Sequence, residues 1–291
     1  MQIGYVFSLL ASLFWSLYLV PRKISKAKPA TYTLYIGLGF FTLSLLTFIV
    51  QGRSENLFSP ILLLSIVGGL MWCTGSVLFT TAIDKAGLFR SNQWKNLQGP
   101  IGSLTSLIFL SEFVKVNIGY VIFGTLTIFI SALLFTIKKD ASADEKNNIH
   151  ILYALGAAVL WGTLSALQKY ITNAGGGVYS QQLCFSFSIF IFGIGFALMQ
   201  EKKFKNIINI KENYHGAIAG AIYFFAGLFQ LLAYKQGLAN AIVFAIIQFN
   251  AVWTVLIGVL YFKETNYKKY SIRITSGLLL AIASVLLLMK A

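Results

Sequence analysis

Asp84-Lys85-Ala86-Gly87-Leu88 in the first half of the chain faces Tyr234-Lys235-Gln236-Gly237-Leu238 in the second, and Gln98 and Gln248 follow them at the same offset. A register held over more than ten residues reads as duplication. Related endings come next, Leu110-Ser111-Glu112 and Tyr261-Phe262-Lys263-Glu264, with two residues more in the second copy. Trp15 and Trp161 also take similar places, each followed eight residues later by a lysine, Lys23 and Lys169.

Around these segments lie ten apolar runs: 3–20, 32–50, 60–83, 88–110 and 116–137, then 149–171, 179–199, 216–234, 239–262 and 272–289. A helical crossing takes about 20 residues, and runs this long exceed a barrel strand. The polar stretch KKDASADEKNN at 138–148 divides the runs five and five. The predicted fold is an all-α integral membrane protein of ten transmembrane helices in two inverted five-helix repeats. Residues 1–137 form the first repeat, 138–148 a polar linker and 149–291 the second repeat. An odd number of crossings per half turns the second repeat upside down. Such repeats place a substrate site near the bilayer midplane, at their interface, and support alternating access.

Composition agrees. Of 291 residues 57% are hydrophobic and only 11% charged, with 25 Phe, 14 Tyr and 5 Trp, and the mean hydropathy is +0.75. A soluble domain carries about 25% charged residues. The excess of 23 Lys and Arg over 9 Asp and Glu is read as loop charge rather than as a nucleic-acid surface, because basic residues gather in cytoplasmic loops. About 18 of the 23 fall in the loops after odd-numbered crossings, Lys95 counted with its neighbouring loop, and about 5 on the other side. The expectation is a multi-pass plasma-membrane protein with both termini outside. The first run lacks a basic leader and a small-residue cleavage site, and reads as a retained helix.

Polar side chains are costly in lipid and turn toward the bundle or a wet cavity, which makes the fourth crossing stand out: Ser91-Asn92-Gln93-Trp94-Lys95-Asn96-Leu97-Gln98-Gly99-Pro100. At helical spacing Ser91, Trp94, Lys95, Gln98, Gly102 and Thr105 share one stripe, and Asn92, Asn96, Gly99 and Ser103 the next. Pro100 removes a backbone donor beside Gly99 and Gly102, which predicts a kink there. Lys95 lies about two turns inside, where an uncompensated cation costs roughly 2.5–3.5 kcal/mol. It either faces the cavity, ready for a substrate carboxylate or phosphate, or snorkels to the interface; Asp84 is a partner open to both. In the ninth crossing Gln248 and Asn250 are isolated amides, serving either interhelical hydrogen bonding or ligand contact.

Trp15 and Trp94 are assigned to the cavity, since aromatic planes stack on sugar rings while nearby amides read hydroxyls; Trp72, Trp161 and Trp253 are left between cavity and interfacial anchoring. The predicted substrate-binding set is Trp15, Asn92, Trp94, Lys95, Asn96, Gln98, Gln248 and Asn250. Gly68-Gly69, Gly75, Gly193, Gly195, Gly220 and Gly227 read as sites of close helix approach. Gly175-Gly176-Gly177 is a loop rather than a phosphate cradle, lacking a preceding strand and a following Lys-Ser/Thr pair. Cys73 and Cys184 lie in apolar runs as small buried hydrophobes. His150 and His215 fall in loops and no paired carboxylates sit in an apolar run, so neither catalysis, a metal site nor a cofactor is expected.

The pattern resembles the drug/metabolite transporter superfamily, whose EamA-like ten-helix members are two inverted five-helix repeats. Gly69-Leu70-Met71-Trp72-Cys73-Thr74-Gly75, leading to Ala86-Gly87-Leu88, Gln98 and a helix ending at Glu112, resembles its bacterial glucose/ribose and rhamnose uptake branch, as do Trp15-Ser16 and Val20-Pro21-Arg22-Lys23. The resemblance implies secondary transport through a cavity lined by crossings one, three, four, six, eight and nine, and for that branch proton-coupled import. The sequence departs from this in having no acid deep in a crossing, only Asp84, Glu112 and Glu264 near helix ends, which leaves facilitated diffusion or exchange open.

The expected function is a secondary transporter of a small polar metabolite, a monosaccharide first, in a bacterial or archaeal plasma membrane. The alternatives are a transporter of an anionic metabolite or amino acid that uses Lys95, and a lipid flippase. A structural or regulatory protein is disfavoured by the amide-rich fourth crossing.

Overall fold

The computed structural model describes residues 2–134, 149–201, 203–261 and 267–291; the side chains at 86–90, 92–93, 149–150, 258–260 and 267–269 lie outside that description, as do the linker and Glu264. The described residues are helical, without a strand. The helices are α1 (Gln2–Leu17), α2 (Pro29–Gln51), α3 (Leu63–Lys95), α4 (Gln98–Phe109), α5 (Ile118–Leu134), α6 (Ile149–Asn173), α7 (Val178–Gln200), the short α8 (Phe204–Ile207), α9 (Ile210–Lys235), α10 (Asn240–Ile247), α11 (Asn250–Leu260) and α12 (Tyr267–Leu288). Among the described residues eight segments are long and apolar enough to cross a membrane, and Ile118–Leu134 is a shorter apolar helix.

The third and fourth expected crossings are not divided by a loop at 84–87: regular helical bonding continues through α3 to Lys95. No proline interrupts Asp84-Lys85-Ala86-Gly87-Leu88, so nothing there removes a backbone donor. The segment is nevertheless bent. Sixteen residues of straight helix would separate Phe79 from Lys95 by about 24 Å, yet Lys95 Nζ lies 5.8 Å from the centre of the Phe79 ring.

The chain forms two compact units, residues 1–77 with 167–238 and residues 78–166 with 239–291. In the first unit α2 lies against α7 and α9. Small residues let backbones touch there. A Cβ on Gly37 would come 2.8 Å from the Phe190 Cα, one on Gly193 2.8 Å from the Leu34 Cα, and one on Gly220 would run into the Ile36 carbonyl oxygen. Gly195, by contrast, has open space beside it. The pairings of Leu34 with Gly193 and Gly37 with Phe190, together with the hydrogen bond from Ala30 N to Gln200 Oε1 (2.8 Å), run in opposite senses along the two helices, so α2 and α7 are antiparallel. Cys73 is buried and donates its Sγ hydrogen to the Ile189 carbonyl at 3.2 Å.

At the end of this helix pair Glu201 accepts from Lys28 Nζ (2.9 Å), Thr31 Oγ1 (3.2 Å) and Asn206 Nδ2 (3.2 Å). Burial alone raises the proton affinity of this carboxyl, but those three hydrogen bonds and the Lys28 charge outweigh it and hold it below the ordinary glutamate value.

In the second unit α5 packs antiparallel on α12. Ser131 Oγ donates to the Gly277 carbonyl and Ser284 Oγ to the Gly124 carbonyl, each at 2.6 Å. Interhelical hydroxyl bonds of this kind hold helices together where lipid removes the hydrophobic drive.

Two outcomes follow for thermal unfolding in detergent. Gly220→Ala is expected to cost about 1–3 kcal/mol, because its methyl meets backbone that has no free rotamer, whereas Gly195→Ala is expected to be neutral. The Glu201 contribution is present above the ordinary glutamate range and is lost as pH falls through the lowered value. Wild type should therefore lose more stability than Glu201→Gln between pH 7 and pH 3, and equal losses would contradict the pairing.

Candidate functional site

In lipid a helix can break only where protein groups take up the backbone bonds it gives up, and the second unit holds two such breaks. Between α3 and α4, Asn96 and Leu97 leave the α-helical pattern, with Leu97 N bonded to the Trp94 carbonyl and Gly99 N to the Asn96 carbonyl, both at 3.2 Å. Pro100 falls in the first turn of α4, where its missing N–H is not needed. Between α10 and α11 the break is at Gln248 and Phe249, with Gln248 N on the Ala245 carbonyl (3.1 Å) and Phe249 N on the Ile246 carbonyl (2.9 Å). No proline causes this one. Gln98 and Gln248 thus stand at the two breaks.

They also meet. Gln98 Nε2 donates to Gln248 Oε1 at 3.4 Å, and Gln248 Nε2 donates to the Phe244 carbonyl at 3.1 Å. The approach depends on glycine, since a Cβ on Gly99 would occupy the space of Gln248 Cγ and one on Gly102 would lie 2.5 Å from the Phe244 ring. Ser103 Oγ donates to the Ala241 carbonyl at 3.1 Å. Read in order, these contacts make α4 and α10 antiparallel.

Of the predicted set, the second unit gathers Lys95, Asn96, Gln98, Gln248 and Asn250, all buried. Asn96 Oδ1, Gln98 Oε1 and Asn250 Nδ2 have no hydrogen-bond partner among the described residues, and neither does Ser91 Oγ one turn before Lys95. Lys95 is 1% exposed. Its ammonium faces the Phe79 ring, which packs edge-on against Trp161 at 5.6 Å, and no carboxylate of the described residues lies within 4 Å of it. Trp94 does not join this group: it is 38% exposed. The Asn92 side chain lies outside the described residues.

Trp15 belongs to the first unit, in an aromatic cluster centred on Tyr223. The Tyr223 ring lies 5.7 Å from Trp15, 5.1 Å from Tyr18, 5.2 Å from Phe40 and 5.0 Å from Trp72. Tyr223 was not among the predicted residues, because one tyrosine in an apolar run carries no sign of its partners. The same unit holds an amide network the sequence reading missed. Gln230 Nε2 donates to Gln168 Oε1 (3.0 Å) and to Tyr234 Oη (2.8 Å), Gln181 Nε2 donates to the Gln168 carbonyl (2.9 Å), and Lys169 Nζ donates to the Tyr234 carbonyl (3.1 Å). The available signal was the one used for Gln248, an isolated amide within an apolar run.

Glu112 has a structural task. Ser111 takes a left-handed conformation, φ 52°, and turns the chain after α4 so that the Glu112 carboxylate receives Asn240 N (2.7 Å) and Ala241 N (2.9 Å) at the start of α10. A carboxylate there satisfies orphan N–H groups and opposes the positive end of the helix dipole. Asn240 Nδ2 donates in turn to Ser106 Oγ and to Ser165 Oγ (3.0 Å).

A family model described as sugar transport protein matches residues 6–290. The chain belongs to this sugar transport protein family. Among similar members, two proteins of Streptococcus pyogenes, from serotype M1 and from serotype M3, carry provisional names as sugar uptake proteins; each is 24% identical over 303 residues, covering 98% of this chain and 98% of its own. One solved crystal structure superposes with a TM-score of 0.78 over 99% of this chain and 96% of that one, at 13% identity. That likeness shows a shared fold. Sugar transport family membership makes this chain a multi-pass membrane transporter rather than an enzyme, with a small-molecule sugar as its class of substrate.

Glu112→Gln is expected to lower thermal stability by about 1–3 kcal/mol, because its amide NH2 turns toward a backbone N–H and leaves that donor buried without an acceptor. Unchanged unfolding would remove the cap from this account.

Proposed function

We propose that this member of the sugar transport protein family is a secondary transporter that carries a neutral monosaccharide across a bacterial or archaeal plasma membrane by alternating access. The observation that carries the reading is the pair of matched helix breaks at Gln98 and Gln248. Transporters bind polar substrates where helices are interrupted near the bilayer midplane. Here buried amides at and beside the interruptions have unused capacity, Asn96 Oδ1, Gln98 Oε1 and Asn250 Nδ2. Two acceptors and a donor suit hydroxyl groups, which give and take hydrogen bonds.

The same geometry supports the inverted repeat, 1–137 against 149–291 with a linker at 138–148. In such a repeat equivalent helices of the two halves oppose each other, and α2 with α7, α4 with α10 and α5 with α12 are all antiparallel partners. Ten crossings follow when Ile118–Leu134 and the α3 end with α4 are added to the eight long apolar segments. Membership of the wider drug/metabolite transporter superfamily and termini on the outer side belong to this proposal. The sugar site is assigned to Lys95, Asn96, Gln98, Gln248 and Asn250 of the second unit.

One observation favours a second reading. Lys95 is buried without a carboxylate among the described residues, which suits an anionic substrate.

A thermal-shift panel separates the two readings, because a ligand that binds the folded state alone raises stability by mass action. Neutral monosaccharides should stabilise wild type, and Gln98→Ala should weaken that binding about tenfold, the value of one lost hydrogen bond. Stabilisation by carboxylates and phosphates alone, abolished by Lys95→Gln, would replace the sugar by an anion. Full sugar binding and uptake in Gln98→Ala would remove that residue from the site.

A further inference from the structure

Four acids among the described residues are engaged elsewhere. Glu112 caps α10 through two backbone N–H groups, Glu201 is tied to Lys28, Glu55 accepts from Ser180 N at 2.7 Å, and Asp84 has contacts of its own. Lys95 differs from all of them. It is buried, its ammonium lies over the Phe79 ring at 5.8 Å, and Ser91 Oγ, one helical turn away, is buried without a partner among the described residues.

We propose that Lys95 is the coupling group of this transporter, and that it takes up its proton together with the sugar. The proposal rests on the neutral-monosaccharide reading. An ammonium in apolar surroundings has lost its water, and charge there is unfavourable unless oxygen atoms solvate it. A sugar seated beside Gln98 and Asn96 supplies such oxygens as acceptors for N–H donors. Sugar therefore favours the protonated amine, and by reciprocity the protonated amine favours sugar. The empty carrier returns as the neutral amine. One proton passes from the outer water to Lys95 and on to the inner water for each sugar moved, without a bond other than N–H being made or broken.

The other ionisable groups of this unit act at a distance. Lys85 Nζ lies over the Tyr153 ring at 5.3 Å, on the α6 side. Asp84 precedes it on α3, Glu112 caps α10, Lys115 follows the turn at Glu112 after α4, and Tyr270 and Arg273 belong to α12. None of these is within ion-pair distance of Lys95.

The test uses full-length protein in vesicles loaded with a pH-sensitive dye, with radiolabelled D-glucose, D-ribose and L-rhamnose as probes, and reads protons moved per sugar. Wild type should move about one proton with each sugar. Lys95→Gln should carry sugar more slowly and with no proton. Lys95→Arg, permanently charged, should exchange sugar for sugar, accumulate none and move no proton. Sugar flux without protons in wild type, or a wild-type ratio in either variant, overturns the proposal. Absence of sugar exchange in wild type for every probe overturns the sugar reading and this proposal with it. Where a variant is inactive or unfolded, the affinity of wild type decides: it should weaken about tenfold per pH unit on the alkaline side, and an affinity flat with pH overturns the proposal.

Discussion

A backbone carbonyl or N–H in hydrocarbon has no water to turn to, and each one left alone costs several kcal/mol. That constraint makes the chain helical, and it also decides what a break in a helix must bring with it. At Asn96-Leu97 and at Gln248-Phe249 the ladder tightens to bonds three residues long, and amide side chains stand at the gaps. At or beside those two places the second unit buries the glutamine pair, Asn96, Asn250, and Lys95 on the last turn of α3.

Close packing makes this arrangement possible. Without a hydrophobic drive between helices, contact depends on small residues and on hydrogen bonds to backbone. Gly99 and Gly102 let α10 reach α4, and Ser131 and Ser284 fasten α5 to α12. In the first unit Gly37, Gly193 and Gly220 do the same for α2. Each unit thereby joins helices far apart in sequence.

The apolar runs, the shared register of Gln98 and Gln248 and the kink near Pro100 were legible in sequence because each leaves a local mark: length, repetition or a missing donor. The continuity of α3 to Lys95 was not, since Asp84 to Leu88 looks like a loop by charge yet contains nothing that stops a helix. Trp94 was placed by helical spacing beside Lys95, and spacing does not report that one of these neighbours is buried and the other exposed. The break at Gln248 has no proline or glycine to announce it. Tyr223, the Gln168–Gln230 pair and the capping role of Glu112 depend on partners from distant segments, which periodicity cannot report.

The most direct test of the central claim is a structure of the protein determined with a stabilising monosaccharide bound. The account predicts density for the sugar ring at the two helix breaks, its hydroxyls bonded to Gln98 and Gln248 and the direct bond between those glutamines opened. A sugar bound elsewhere in the bundle, with the glutamine pair intact, would contradict it.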